Sequence, residues 1–219
     1  MRNPVLLDND IILKALRFGI EVELLSVATK SGDPPAILKV AEFMIRGRIQ
    51  RSKLNGHEND EAALIEFLGA VARIEPSDHE LELAADFEAK AQKKYLELDS
   101  GESQLLAALI VRGHKLMLTG DKRAICAIEQ IASDQLDSAR LVCFEQVVAS
   151  ILREADFTAV RESVCRTPTT DRAVSISFAC SSAVVAVESV FEGLRSYTEA
   201  LRRDAATVLF PGDDLIGVL

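Results

Sequence analysis

Through the first two-thirds of the chain, short apolar runs alternate with longer stretches in which apolar residues recur at helical spacing. Residues 5–7 form a buried-strand run that stops at Asp8. From Asp10 the period changes. Ile12, Leu13 and Leu16 share a helical face, and Gly19 ends that helix. Residues 22–27 fit a second strand or a continued helix equally well. Gly32, Asp33, Pro34 and Pro35 form a turn, and Pro35 suits the first turn of a helix reaching about Gln50. A helix is expected over 59–70 and a strand over 71–74. Ser77, with Glu80 three residues on, is a capping box for a helix to about Tyr95. Ser100 is expected to cap a helix over 101–112, which Gly113 stops. A strand over 115–119, a helix over 122–131, a strand over 140–144 and a helix over 145–154 follow. Strands separated by helices of this length imply crossover units. The expected fold is therefore α/β, a three-layer α/β/α arrangement with a mostly parallel central sheet.

The pattern changes after residue 155. No lysine occurs beyond Lys122, the strand–helix alternation ceases, and residues 167–170 read as a connection. Val184, Val187, Phe191, Leu194, Thr198 and Leu201 then follow a 3-4-3-4-3 spacing. Such a seam suits packing on another helix, whether in the same domain, in a second copy forming a homodimer, or in a protein partner. Two units are expected: a domain over 1–155 and a helical C-terminal extension over 156–219, with an extended tail from Pro211.

Composition narrows the class. Of the 219 residues, 48% are hydrophobic and only 5% aromatic, so the core is aliphatic and large enough to fold without staples. The longest uncharged run, 173–187, is shorter than the roughly 18–20 residues of a spanning helix, and no membrane is expected. The first ten residues reach an acid after a short apolar stretch, so no signal peptide is expected. Cys126, Cys143, Cys165 and Cys180 show no zinc-like or CxxC spacing, and a reducing cytoplasm is the expected setting. With 25 basic against 34 acidic residues, the charge of −9 argues against a broad nucleic-acid-binding surface. It does not exclude a carboxylate site that cations neutralise.

Asp8 and Asp121 each follow an expected strand, and in parallel sheets ligands bind beyond the carboxyl ends of strands. Asp10 stands beside Asp8, so a cation there would relieve repulsion. On a helix, Leu38, Glu42 and Ile45 share a face, which draws the Glu42 carboxylate inward, where it needs a metal or an arginine. Glu102 opens a later helix. Each acid also has a plain structural reading: Asp8, Glu102 and Asp121 can cap helices, and Glu42 can face water. The order of the set along the chain carries the argument.

The segments VLLDND, VAEFMIRG, LDSGESQLLAAL and LMLTGDKRA, taken in order, resemble the PIN domain family over roughly residues 4–150. The resemblance nominates Asp8, Glu42, Glu102 and Asp121 as carboxylates holding Mg²⁺ or Mn²⁺, with Asp10 and Thr119 in support. It implies a ribonuclease cutting single-stranded RNA by metal-activated water, the activity of toxin-type endoribonucleases among others. Two departures from the family's pattern stand out. A Glu occupies the third position, where many members have Asp, and the C-terminal extension has no counterpart in compact members. Hard oxygen donors suit those ions. Arg46, Arg48, Arg51 and Lys53 cluster after Glu42, and Lys122 and Arg123 follow Asp121, so these six are candidates for gripping RNA. Basic residues at a helix end also complement its dipole. Sparse aromatics argue for backbone gripping with little base readout. His57, His79 and His114 fall in polar or turn segments and are expected to be solvated.

Two other readings compete. LLDNDII also resembles the Asp-x-Asp of haloacid dehalogenase-like phosphatases, with Asp8 as nucleophile and Asp10 as acid/base. Ile125 stands where that family wants another acid, and Glu42 and Glu102 have no role there. The second alternative is a PIN-like fold with a blocked site that serves as a binding or scaffold module.

Overall fold

A computed structural model of the chain describes residues 3–30, 32–52 and 60–215. Five short strands, β1 (Leu6–Leu7), β2 (Ala36–Leu38), β3 (Ala72–Ile74), β4 (Leu116–Thr119) and β5 (Arg140–Cys143), pair in parallel in the order β3-β2-β1-β4-β5. Apart from β3, they are buried almost throughout, the pattern of a parallel sheet covered on both faces. The helices before residue 155 are α1 (Asn9–Phe18), α2 (Glu21–Ala28), α3 (Lys39–Ser52), α4 (Asp60–Ala70), α5 (Asp78–Lys93), α6 (Ser100–Val111), α7 (Lys122–Ala132) and α8 (Phe144–Leu152). α1–α4 and α8 pack among themselves, as do α5, α6 and α7, with the sheet as the middle layer. The expected α/β class and parallel sheet are therefore what the chain forms.

The local signals explain most element boundaries. Gly19 closes α1 in the left-handed conformation, φ 67°, where a side chain would be strained. Ser77 and Glu80 form the expected capping box of α5. At α6 the cap is Asp99 rather than Ser100, and Asp99 and Glu102 form the reciprocal box. Residues 22–27, ambiguous in sequence, lie in a helix.

One strand departs from the expectation. Residues 36–38 form β2 and not the start of a helix, because Ala36 N–H donates to Val5 at 2.8 Å and Ala72 N–H donates to the Pro35 carbonyl at 2.8 Å. Both partners lie more than thirty residues away, so nothing in the local spacing signals them. The expected helix start at 59 lies outside the described residues.

The strand order has a functional consequence. The chain runs β1, β2, β3 to one side, then returns to place β4 and β5 on the other, so the order reverses between β1 and β4. The connections leave a crevice at that reversal, beyond the strands' carboxyl ends. Leu7 is level with Leu118 in the ladder, and Asp8 N–H donates to the Leu118 carbonyl at 3.0 Å. Asp8 and Asp121 therefore emerge at the two lips of this crevice.

After residue 155 come α9 (Phe157–Arg166), α10 (Arg172–Ser177) and α11 (Val187–Arg202). One continuous hydrophobic core runs from Val5 to Leu215 and includes residues of all three helices. α11 packs on α8 and α10 with Val190, Leu194, Thr198 and Leu201 turned inward. Burying one such leucine contributes about 1.5–3 kcal/mol. Much of the heptad-like stripe is thus packed within the molecule, while Val184, at its start, is exposed. Gly193 permits the close crossing, since a Cβ there would stand 2.9 Å from Ser177 Oγ. Beyond α11, Phe210 N–H donates to Leu141 and Leu141 N–H to Val208, each at 2.8 Å, so the tail covers the β5 edge. Cys165 and Cys180 form a disulfide joining α9 to the turn after α10, a pairing that spacing did not indicate. Cys126 and Cys143 are free thiols. No helix among the described residues is long and apolar enough to cross a membrane.

Candidate functional site

At the β1/β4 reversal lies an open polar cleft of about 520 Å³, lined by Asp8, Asn9, Asp10, Arg48, the 96–99 segment, Glu102, Asp121 and Arg123. Among the described residues, none beyond Arg123 lines it, so α9, α10 and α11 leave it uncovered.

Asp8 is the innermost acid. It caps α1, accepting from the backbone N–H of Asn9 at 2.7 Å and Asp10 at 3.3 Å, and its second oxygen also accepts from Thr119 Oγ at 3.1 Å. The Thr119 hydroxyl oxygen in turn accepts from Asp121 N–H at 3.1 Å. One buried hydroxyl therefore ties the ends of two strands together. Burial pushes the Asp8 pKa up to about 6, against the hydrogen bonds that lower it, and Asp10 and Asp99 raise it further.

Glu102 sits in the first turn of α6, where its carboxylate accepts from Asp99 N–H at 2.9 Å. Burial again dominates, and with the negative fields of Asp99, Asp8 and Asp121 it lifts the pKa to about 8. Asp121 behaves oppositely. Burial, the largest single influence, raises its pKa, but the bonds and charge of Arg123 together with the amides of α7 outweigh it and bring the net value down. These contrasting environments mark a cleft in which negative charge is crowded and unequally compensated. No ion pair among the described residues reaches Asp8 or Glu102.

Other expected site residues lie elsewhere. Glu42 does not line the cleft. Its carboxylate bonds Arg46 at 3.1 Å and Arg73 of β3 at 3.0 Å, and those two guanidiniums hold its pKa below the usual range. The carboxylate is not drawn into the interior as its helix face suggested: it stays partly exposed and pairs with the two arginines at the surface. Asp99, unlike Glu42, lines the cleft. Its signal was the Asp-x-x-Glu capping pattern at 99–102.

Asp10 is at the cleft wall but turns to Lys14, 2.9 Å away. Lys14 also meets Asp171 at 3.0 Å and donates to the Gly120 carbonyl at 2.7 Å. Burial would depress this ammonium, yet the two carboxylates outweigh it and raise its pKa. Gly120 is needed for the approach, because a Cβ there would fall 2.5 Å from Asp10 Oδ2.

Of the expected RNA-gripping cations, Arg48 and Arg123 line the cleft, and Arg46 is tied to Glu42. Arg51 is exposed in the last turn of α3 and does not line it. Lys122 pairs with Glu145, whose side chain is fully buried. Arg123 bridges Asp121 and Glu97. Lys53 and His57 lie outside the described residues. His79 is exposed as expected. His114 is not: it is buried, with its pKa lowered by that burial.

Of the acids that line it, Asp8, Asp99, Glu102 and Asp121 offer hard oxygen donors of the kind that bind Mg²⁺ or Mn²⁺. Among the described residues, no group of three or more His, Cys, Asp or Glu side chains is arranged so that it could hold a metal ion as it stands. A scan against protein-family models finds no match to the chain, and a search of curated proteins finds none either.

Proposed function

We propose that this cleft is the active site of a ribonuclease that uses Mg²⁺ or Mn²⁺ to hydrolyse single-stranded RNA. The observation carrying this reading is the pair Asp8 and Glu102. Both carboxyls are buried at the switch point, face an open cleft and have raised pKa values, and no cationic side chain among the described residues is bonded to them. Keeping such groups desolvated and close together costs several kcal/mol unless a cation joins them. Asp8, Asp99, Glu102 and Asp121 would hold the ion. A divalent ion bound there supplies a water of lowered pKa and offsets charge developing on the phosphate.

The chain's own groups have distinct tasks in this reading. Thr119 and the first amides of α1 fix the Asp8 carboxylate so that it meets its ligand without rearranging. Glu102, whose carboxyl pKa is pushed up to about 8 by burial, would lose its proton to solvent on taking up a cation. Arg48 and Arg123 stand at the wall where phosphate oxygens would pass. Arg123, bonded to Asp121 in this arrangement, would be released toward a phosphate if Asp121 helped to hold the ion. Lys122 keeps its place on Glu145 and holds the start of α7.

The test is cleavage of an end-labelled single-stranded RNA with Mn²⁺ or Mg²⁺ by wild type, Asp8→Asn and Asp121→Asn. Cleavage that requires metal and is lost in both variants is expected. The pairing of Glu42 with two arginines favours the competing reading, a binding or scaffold module that retains the acids. Well-folded protein that leaves several RNAs intact with both metals would establish that alternative over the nuclease.

A further inference from the structure

A second hollow, of about 500 Å³, adjoins the acidic cleft and shares Leu96, Glu97 and Arg123 with it. Its far wall is α11, through Tyr197, Ala200 and Leu201. The chain contains two tyrosines and no tryptophan. Both tyrosines line this hollow.

Tyr95 has no evident structural reason to be there. It follows the last turn of α5, where its N–H donates to Gln92 at 3.1 Å and Leu96 N–H donates to Ala91 at 3.0 Å. This is the closing pattern that usually takes glycine. Tyr95 adopts φ 56°, a left-handed conformation costly for a bulky residue. Its side chain recovers nothing by burial, since the residue is 97% exposed. An exposed ring held at a strained position contributes to something other than the fold. Tyr197 is half-buried opposite, with Lys122 Nζ 5.2 Å from its ring centroid.

We propose that this hollow receives a nucleobase of the single-stranded RNA whose backbone crosses the acidic cleft, an inference that rests on the function proposed above. Tyr95 provides a stacking platform, and Tyr197, fixed by Lys122, forms the facing wall. Arg123, which lines both spaces, receives the phosphate between them. The volume falls in the range of small-molecule sites, and stacking on tyrosine accepts any base because every base has a π-face. The scarcity of aromatics in the sequence is therefore misleading: the two tyrosines stand at one place beside the cleft. The C-terminal extension takes part in the site by supplying its wall.

Because the protein lacks tryptophan, tyrosine emission reports on this hollow alone. Wild-type protein in EDTA, where no turnover occurs, is titrated with short oligo(A) and oligo(U) RNA while tyrosine fluorescence is followed. Anisotropy of an end-labelled RNA is measured in parallel for wild type, Tyr95→Gly, Tyr95→Phe and Tyr197→Leu. Saturable quenching is expected, with binding weakened about 5- to 100-fold in Tyr95→Gly and Tyr197→Leu, the range of one lost base stack. Tyr95→Phe keeps near wild-type affinity. Tyr95→Gly relieves the backbone and does not lower the melting temperature, so its lost affinity cannot be ascribed to unfolding. RNA binding without quenching, or equal affinity in all four proteins, overturns the proposal. Cleavage with Mn²⁺ but no quenching leaves the nuclease standing and removes the base site. Quenching without cleavage keeps the base site, in a binding module. Neither signal removes both.

Discussion

The buried acids make the protein's stability depend on pH in a direction opposite to that of ordinary ion-paired carboxylates, and Glu102→Gln isolates the effect. Glu102 has a pKa of about 8 in the fold against an ordinary value of 4.5, and Asp8 about 6 against 3.8. Each pH unit of difference corresponds to about 1.36 kcal/mol. Ionised Glu102 therefore opposes folding by at most about 5 kcal/mol, and Asp8 by about 3 kcal/mol. The two raise each other, so the figures are not added. Both values are raised by folding, so the native state binds more protons than the unfolded chain. The associated stability is complete below about pH 4 and is lost as pH rises, first through 6 and then through 8. Glutamine keeps a carbonyl oxygen for Asp99 N–H and carries no charge. Urea melts in EDTA from pH 4 to 9 should show Glu102→Gln matching wild type near pH 4 and exceeding it by several kcal/mol at pH 8. Added Mn²⁺ should restore wild type at pH 8, by about 2.7 kcal/mol at a concentration a hundred times its Kd, and should stabilise the variant less. Parallel pH profiles for the two proteins would refute the claim that Glu102 is a desolvated acid.

Three further predictions concern the groups around the cleft. Thr119→Val removes the hydroxyl between Asp8 and Asp121 N–H in a fully buried setting. It should cost about 1–3 kcal/mol in a denaturant melt, and retained stability would show that the bridge is dispensable. Lys122→Met leaves fully buried Glu145 without its counter-charge, and a loss of about 3 kcal/mol in a denaturant melt is expected. If stability holds and only RNA affinity falls, Lys122 is a substrate contact after all. Cys165→Ser opens a disulfide spanning 15 residues and should lower stability by about 3 kcal/mol. Dithiothreitol should do the same to wild type and nothing to the variant, with both read as the shift in melting temperature.

The α/β alternation was legible because strands and helices write different periods, and because Ser77, Glu80, Gly19 and Gly113 punctuate them. β2 was hidden, since a three-residue strand running straight into a helix has no period of its own. Asp8 and Asp121 could be placed because an acid directly after a buried strand has one place to go in a parallel sheet. Glu42 shows the limit of a helical wheel. The wheel places Glu42 with buried Leu38 and Ile45, but the carboxylate stays at the surface with Arg73, which arrives from a strand 31 residues on. Lys14 is a sharper case, because its partner Asp171 comes from a segment that reads as a different unit. Long-range pairing of this kind leaves no trace in local spacing, and neither does the Cys165–Cys180 disulfide.

That last segment changes how the C-terminal third should be regarded. Its change of style at residue 155 suggests an appendage, yet its residues complete the sheet. Leu141 at the β5 edge exchanges backbone hydrogen bonds with Val208 and Phe210, and the buried Gln146 side chain donates to Phe210 O at 2.9 Å. Leu215 N–H is bound by buried Ser150 Oγ. Cutting the chain near 156 would leave that edge unpaired and bare the apolar side of α8, both of which favour aggregation. Such a truncation would test folding before it tested assembly. α11 meanwhile faces two ways: Leu194 and Thr198 turn into the core, while Tyr197 and Ala200 form the wall beside the acidic cleft. The burial that holds the helix in place is therefore also what sets Tyr197 opposite Tyr95, so substitutions at Leu194 should disturb the hollow without touching any residue that lines it.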